Sequence, residues 1–217
     1  MKKSVLIIGL GRLGSHLAQK MQDLGHDVMI LDNREEKITR LASQFADAQI
    51  AEYTHEDVLA ALDIPSFDIC FVTAGNDLEA VMLTTIMLKK LGAKYIASRA
   101  RDEIQCELLR KIGADEIIYA DGETADKLAI RHAGKNIFDY IALGDGYAIF
   151  EVPIIESWEG KSIIELDVRK KFKINIIAIK RGKELDPSPM PDFVFEEGDH
   201  IFVIGKSQDV FKLSAKT

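Results

Sequence analysis

Short apolar runs alternate with segments of helical period along the first 133 residues. The runs are rich in β-branched residues and are each bounded by polar or turn-forming positions, which favours strands. The six predicted strands are "VLIIG" (5–9), "DVMIL" (27–31), "AQIAE" (48–52), "DICFV" (68–72), "KYIAS" (94–98) and "EIIYA" (116–120). Strands that alternate with helices form a parallel sheet covered on both faces, so we predict a Rossmann-like, doubly wound α/β domain.

Helices are predicted between these strands, where apolar residues recur every three or four positions. The predicted helices are Leu13–Leu24, Glu35–Ser43, Glu56–Leu62, Leu78–Leu91 and Glu103–Ile112. Gly25, Gly92 and Gly113 follow three of them, at positions where glycine commonly ends a helix. In such a domain a ligand binds at the carboxyl ends of the strands, near the point where the strand order reverses.

The pattern changes after the segment "HAGKN" (132–136), so we predict domains at 1–134 and 135–217. The second part is rich in strands, with one helix over "SIIELDVRKKF" (162–172) and another over "SQDVFKLS" (207–214), capped by Ser207. The predicted strands are "YIAL", "YAIFEVPI", "INIIAIKRG" and "DHIFVIG". The second domain is therefore expected to be a smaller α+β module.

The composition excludes several classes of protein. With 28 Lys and Arg against 35 Asp and Glu, the net charge is −7, and no local basic patch offers a surface for nucleic acid. No run approaches the ~20 apolar residues of a membrane span, so we expect a cytoplasmic protein. Cys70 and Cys106 are too few for a disulfide framework and wrongly spaced for a metal site.

A glycine motif lies at the start of the chain, in "VLIIGLGRLG". Gly9, Gly11 and Gly14 form G-x-G-x-x-G between a predicted strand and a predicted helix, which is typical of a loop that binds phosphate. Asp32 follows Gly14 by 18 residues, at the end of the second strand, where a carboxylate accepts ribose hydroxyls. A nucleotide is therefore predicted. The Asp32 carboxylate would repel the 2′-phosphate of NADP, and nearby Arg34 does not cancel that charge. NADP is therefore disfavoured, whereas NAD, ATP and ADP all remain open.

Further candidate ligand contacts lie at the ends of the strands. Arg12, within the glycine motif, is placed to reach a terminal phosphate, although an exposed surface arginine is the plain alternative. Arg99 adds a second positive charge, and the loop "TAGND" after the fourth strand fits either a ligand contact or a simple helix cap. The remaining candidates adjoin these positions: Leu13, Asn33, Glu52, Thr73, Ala74, Gly75 and Asn76.

No catalytic group accompanies the predicted nucleotide. A dehydrogenase needs a proton donor or acceptor beside the nicotinamide and a domain that encloses the substrate, and the sequence shows neither. An NAD-dependent oxidoreductase remains the alternative because the glycine motif and Asp32 fit it as well. A transcriptional regulator ranks last, because it needs a basic DNA-binding element.

The motifs together resemble a known family. "IIGLGRLG", "TAGND" with "LEAVMLTTIMLKKLGA", "LLRKIGADEIIYA", "IIELDVRKKFKINIIAIKRG" and "FEEGDHIFVIG" resemble the RCK (regulating conductance of potassium) domains of Trk/Ktr potassium-uptake regulatory subunits. The resemblance implies a non-enzymatic cytoplasmic gating subunit that binds ATP, ADP or NAD(H). It also implies an N-terminal dimer that builds to a tetramer or an octameric ring beneath a membrane potassium-translocating subunit.

The resemblance also assigns residues. It places a nucleotide on Gly9, Gly11, Arg12, Gly14, Asp32, Asn76 and Arg99. Some relatives bind a divalent cation through a Glu where this chain has Asp121, which leaves the metal open. Part of the second domain resembles a cyclic di-AMP pocket, and an ordinary amphipathic helix on a strand fits it equally well. The residues concerned are Ile163, Ile164, Asp167, Arg169, Asn175 and Ile176.

Overall fold

The computed structural model describes residues 1–74, 77–133 and 136–215. The chain divides into two compact units, Met1–Gly122 and Glu123–Thr217. The division falls inside a helix, Ala120–Ala133, in which Ile130 packs against the core of the second unit. It lies before the domain boundary predicted at 134/135, which falls on residues outside the described ranges.

The first unit contains the predicted six-stranded parallel sheet. Its strands are β1 (Ser4–Ile8), β2 (Asp27–Asp32), β3 (Asp47–Ile50), β4 (Ile69–Val72), β5 (Ile96–Arg99) and β6 (Glu116–Ile118). They lie in the order β3-β2-β1-β4-β5-β6, and every neighbouring pair is parallel. The order reverses between β1 and β4, so the crevice for a ligand is at the carboxyl ends of these two strands.

Helices follow each strand of this sheet. They are α1 (Arg12–Asp23), α2 (Glu35–Leu41), α3 (Glu56–Ala60), α4 (Leu78–Lys90), α5 (Glu103–Lys111) and α6 (Ala120–Ala133). Asp77 and Asp102 cap α4 and α5 through hydrogen bonds from backbone N–H groups. Gly25, Gly92 and Gly113 have φ of +85°, +83° and +112°, which confirms their predicted place after helices.

Strand β1 is apolar throughout because both of its faces are covered. Val5 and Ile7 pack into one buried cluster with α1, whereas Leu6 and Ile8 pack into another on the opposite face. Cys70 in β4 lies in the second of these clusters, and burial raises the pKa of its thiol to about 12. Cys106 is also buried, and neither cysteine forms a disulfide.

The second unit contains an antiparallel sheet. Its strands are β7 (Asp139–Gly144), β8 (Tyr147–Pro153), β9 (Ile174–Arg181), β10 (Glu184–Asp186) and β11 (His200–Lys206), in the order β10-β9-β11-β8-β7. The helices after β8 are α7 (Ile163–Leu166), α8 (Val168–Phe172) and α9 (Ser207–Ser214), besides a short 3₁₀ helix at Glu156–Trp158. Strand β10 was not predicted, since it is short, polar and forms the edge of the sheet.

Two local predictions in this unit are wrong. The single helix predicted over residues 162–172 is broken by Asp167, whose φ of +45° interrupts the helical backbone between α7 and α8. Ser207 does not cap α9, because Lys206 occupies the cap position and the Ser207 hydroxyl donates to the Gly146 carbonyl at 3.3 Å. By contrast, Ser162 and Glu165 form a reciprocal capping box at the start of α7.

An ion pair with a buried carboxylate joins the end of β9 to Asp199, the residue before β11. The Arg181 guanidinium donates to both carboxylate oxygens of Asp199 at 2.7 and 2.8 Å, and Asp199 is 0% exposed. Burial raises the pKa of Asp199, but Arg181 and the Glu196 N–H outweigh it, so this pKa lies below its ordinary value. Arg181 also lies over the Phe193 ring, 4.9 Å from its centre. The pair therefore ties the ends of two neighbouring strands together.

Membrane-spanning helices were sought in the three described ranges. None of the helices there has the length and apolar character needed to cross a bilayer.

Candidate functional site

A cleft of about 890 Å³ opens at the carboxyl edge of the parallel sheet, within the first unit. It lies where the strand order reverses, as predicted. Eight residues singled out from the sequence line it: Gly9, Gly11, Arg12, Leu13, Asp32, Asn33, Ala74 and Arg99. Seven others complete the lining: Arg34, Lys37, Tyr53, Asp77, Arg101, Ala120 and Asp121. Gly75 and Asn76 lie outside the described residues.

The three glycines have different structural roles. Gly9 has a φ of +91°, and a Cβ there would lie 2.5 Å from the Ala74 backbone nitrogen. A Cβ at Gly14 would collide with the Gly9 carbonyl, so α1 packs on the loop only because Gly14 lacks a side chain. A Cβ at Gly11 would meet no atom within 4 Å. Gly9 and Gly14 therefore shape the loop, and Gly11 leaves its backbone open to a ligand.

Thr73 stabilises this glycine loop through its side-chain hydroxyl. Its hydroxyl donates to the Gly9 carbonyl at 2.6 Å and lies 3.1 Å from the Ile8 carbonyl, and the residue is fully buried. Thr73 is not among the residues that line the cleft and its donor is already used, and the ligand contact by Thr73 stays a prediction. Thr73 ties the end of β4 to the loop after β1.

The amino end of α1 faces the cleft with a positive charge. Helix α1 begins at Arg12, and no side chain caps it at Gly11. Its first N–H groups have no partner within the helix, and they carry the positive end of the helix dipole. Arg12 is exposed and forms no ion pair with any residue of the described ranges. These groups together can hold a phosphate.

Unlike the exposed Arg12, Asp32 is almost completely buried. Only 1% of the residue is exposed, and its carboxylate already accepts three hydrogen bonds. Oδ2 accepts from the Leu10 N–H at 2.6 Å and from Lys37 Nζ at 2.6 Å, whereas Oδ1 accepts from the Arg34 N–H at 2.9 Å. The sequence predicted the carboxylate at this place but not its partners.

Asn33 and Glu52 form a hydrogen-bonded pair beside Asp32. Asn33 Nδ2 donates to Glu52 Oε2 at 2.9 Å, and this bond is the main reason why the pKa of Glu52 lies below its ordinary value. Glu52 is not among the residues that line the cleft, where its partner Asn33 lies, and its ligand contact stays a prediction. The neighbouring Tyr53 does line the cleft, although it is 8% exposed and packs in the hydrophobic core.

The far side of the cleft is also basic. Arg99, at the end of β5, lies 3.5 Å from Asp121, and Arg101 follows two residues later. In all, five basic and three acidic side chains line the cleft, which favours an anionic ligand. No cluster of three potential metal ligands occurs among the residues that the structure describes, and the divalent cation stays an open question.

A second, smaller groove lies in the second unit, with a volume of about 350 Å³. The break at Asp167 exposes apolar side chains there, and Ile164 is 68% exposed. The lining residues are Ile163, Ile164, Asp167, Val168, Arg169, Ile176, Pro189 and Pro191. Asn175 is not among them, although it is exposed and adjoins Ile176 in β9, and its place in this site stays a prediction.

Comparison with known proteins assigns the chain to a family. Residues 5–120 match the TrkA-N domain, and residues 147–216 match the TrkA-C domain. The chain is 34% identical over 216 residues to the Ktr system potassium uptake protein C of Bacillus subtilis, covering 100% of this chain and 98% of that protein.

The chain belongs to the TrkA family of potassium-uptake proteins.

A second relative supports the same assignment. The chain is 35% identical to the Ktr system potassium uptake protein A of Bacillus subtilis, over 96% of this chain and 94% of that protein. The TrkA-N match lies within the first compact unit, and the TrkA-C match lies within the second. The resemblance inferred from the sequence motifs is therefore confirmed over both parts of the chain.

Solved structures show the same fold for this TrkA-type chain. The GsuK RCK domain superposes with a TM-score of 0.69 at 17% identity and covers 100% of this chain. The present chain spans about half (48%) of that GsuK chain. A GsuK channel bound to NAD gives a TM-score of 0.66 at 18% identity, over 100% of this chain and 39% of that one. The predicted combination of a doubly wound sheet and a smaller α+β domain is confirmed.

Proposed function

We propose that this TrkA-type protein is the nucleotide-sensing regulatory subunit of a potassium-uptake system. ATP, ADP or NAD(H) binds in the cleft of the first unit, and the protein acts at the cytoplasmic face of a membrane potassium-translocating subunit. The observation that carries the proposal is the open glycine loop, with exposed Arg12 at the start of α1 and Arg99 across the cleft. Phosphates suit this arrangement of N–H groups and guanidinium groups.

Regulation follows from a difference between nucleotides at Arg12. The terminal phosphate of ATP makes a charge-assisted contact that ADP lacks, worth about 2 kcal/mol. That difference shifts a two-state equilibrium by about thirtyfold at one site, and the shifts add around a symmetric assembly. We therefore include a homo-oligomeric ring, a tetramer or an octamer built from N-terminal dimers, in the proposal.

The alternative, an NAD-dependent oxidoreductase, has less support. The described residues that line the cleft include no histidine or cysteine, and the Tyr53 hydroxyl is a poor proton donor because burial raises its pKa. Two relatives that match over nearly their full length, at 34% and 35% identity, are potassium-uptake proteins. Substrate-dependent oxidation of NADH by the purified protein would favour the enzyme instead.

Competition among ATP, ADP and NADH, combined with the mass of the oligomer, tests the proposal. We expect Arg12→Ala to reduce the preference for ATP over ADP by about thirtyfold, because only ATP uses the lost contact. Arg34→Ala is the matched control, since it removes the same charge from the ribose side and should weaken both nucleotides equally. An unchanged ATP preference in Arg12→Ala would refute the role of Arg12.

The second unit supports a further candidate ligand, cyclic di-AMP. The observation that favours it is the groove in which exposed Ile164 adjoins Arg169, because purine rings pack on apolar side chains and phosphates pair with arginine. Isothermal titration calorimetry with cyclic di-AMP tests this directly. Absence of binding at micromolar ligand would exclude it.

A further inference from the structure

We propose that Lys37 competes with the nucleotide ribose for the Asp32 carboxylate and thereby limits how much the ribose adds to affinity. The inference rests on the proposed function, since it concerns the same cleft. It assigns Lys37 a role in ligand discrimination that the glycine motif does not reveal.

The acceptor capacity of Asp32 is the first step of the argument. A carboxylate has about four lone-pair positions, two on each oxygen. Both positions of Oδ2 are used, one by the Leu10 N–H and one by Lys37 Nζ, each at 2.6 Å. Oδ1 accepts from the Arg34 N–H at 2.9 Å and also lies 3.9 Å from Arg34 Nε, which leaves at most one position. The two hydroxyls of a ribose need two, so one existing donor must leave.

Lys37 is the donor that can leave. The Leu10 N–H belongs to the glycine loop, where the Gly9 N–H is itself bonded to the Leu31 carbonyl at 2.8 Å. The Arg34 N–H is backbone at the start of α2. Lys37 reaches Asp32 through a flexible side chain from the first turn of α2, and it borders the cleft with 15% of that side chain exposed. Movement of its ammonium therefore requires no change in the backbone.

Replacement of Lys37 by the ribose hydroxyls costs free energy, so it should have a measurable effect on nucleotide affinity. A short ion pair with a buried carboxylate is stronger than a surface pair, because little water screens it. Ribose hydroxyls that replace Lys37 thus gain less than they would at a free carboxylate. This reduction in affinity depends on the ribose hydroxyls of the nucleotide and does not depend on its phosphates.

A comparison of two ligands isolates this effect. The affinities of ATP and 2′,3′-dideoxy-ATP are measured by calorimetry for the full chain and for Lys37→Met. Loss of the lysine charge affects the phosphates of both ligands alike, so it cancels in their affinity ratio. We expect the preference for ATP over the dideoxy ligand to rise about tenfold in Lys37→Met, because one competitor for Asp32 is gone.

Two further variants complete the design. Lys37→Gln keeps a neutral donor and should raise the ratio by a smaller amount, which preserves the test if Lys37→Met folds poorly. Lys20→Met, on the exposed surface of α1, should leave the ratio unchanged. An unchanged or lower ratio in both Lys37 variants overturns the inference but leaves the proposed function intact. Failure of the unaltered chain to bind either ligand or NADH overturns both.

Discussion

The two candidate sites differ in the chemical groups that line them. In the first unit the site consists of backbone N–H groups and charged side chains that follow strands of a regular parallel sheet. In the second unit it consists of apolar side chains beside an irregular break between two short helices. The first arrangement suits phosphates and ribose, whereas the second suits flat rings with a limited number of polar contacts.

The two sites differ in how strongly their geometry depends on close packing. The glycine loop is fixed by close contacts of Gly9, Gly14 and Thr73, so small steric changes should damage it. The groove relies on exposed side chains such as Ile164, and changes there should affect binding without affecting folding. Substitutions at the closely packed positions of the glycine loop should therefore affect both folding and binding, whereas substitutions in the groove should affect binding alone.

The largest effect is expected at Gly14. A Cβ in Gly14→Ala would collide with the Gly9 carbonyl and lie 2.5 Å from Thr73 Oγ1, so the loop must move. We expect a loss of about 3 kcal/mol in the unfolding free energy of the chain, measured by circular dichroism in urea, together with loss of nucleotide binding.

Gly11→Ala is the matched control for that experiment. Its Cβ would meet no atom within 4 Å, and its φ of −76° suits alanine, so stability should change by less than about 0.5 kcal/mol. Nucleotide affinity should still fall by about tenfold or more, because the added methyl group obstructs the backbone that faces the phosphates. Equal losses of stability in the two variants would contradict the separate roles of these glycines.

The next largest effect is expected at Asp199, in the second unit. Asp199→Asn should lower the unfolding free energy by about 2 kcal/mol, because Arg181 loses its buried charged partner and keeps only the exposed Glu196. Trp158 is the only tryptophan and is buried in this unit, so its fluorescence reports this unfolding specifically. Glu196→Gln changes an exposed partner of Arg181 and should cost less than about 0.5 kcal/mol.

The same ion pair predicts a dependence on pH. Because the folded-state pKa of Asp199 is lowered, the pair contributes its full stability above the ordinary Asp pKa of about 3.9. That contribution is lost as the pH falls through the lower, folded-state pKa. Asp199→Asn should therefore show less acid destabilisation than the unaltered chain. An identical acid profile in the two proteins would argue against this source of stability.

The smallest effect is expected in the groove. Arg169→Ala should weaken cyclic di-AMP by about tenfold through the loss of a charge-assisted contact, with no change in the Trp158 unfolding curve. Lys171→Ala changes an exposed lysine that does not line the groove and should leave the affinity unchanged. A stronger effect from Lys171 than from Arg169 would show that the groove is not the binding surface.

The sequence predicts features that depend on local pattern. The parallel sheet, the glycine loop and the position of Asp32 follow from strand periodicity and from the spacing of the glycines and the acid, and the structure places them together. Residues at strand ends are predictable because parallel strands share one carboxyl edge.

Features that depend on tertiary contacts were missed. Lys37 had one available signal, since it lies five residues after Asp32 in the first turn of a predicted helix, but its pairing requires the folded chain. Tyr53 lines the cleft because of how the segment after β3 turns, which no motif encodes. The break at Asp167 sits within a sequence of good helical period, so only packing reveals it.

The burial of both cysteines has a practical consequence. Thiols react as thiolates, and Cys70, with a pKa of about 12, supplies almost none at neutral pH, while Cys106 is shielded by its surroundings. A cysteine introduced at exposed position His16 or Lys170, each close to one of the two sites but outside its lining, would thus be labelled selectively in the native sequence background. Fluorescent probes can then report ligand binding without removal of the natural cysteines or of the ligand contacts.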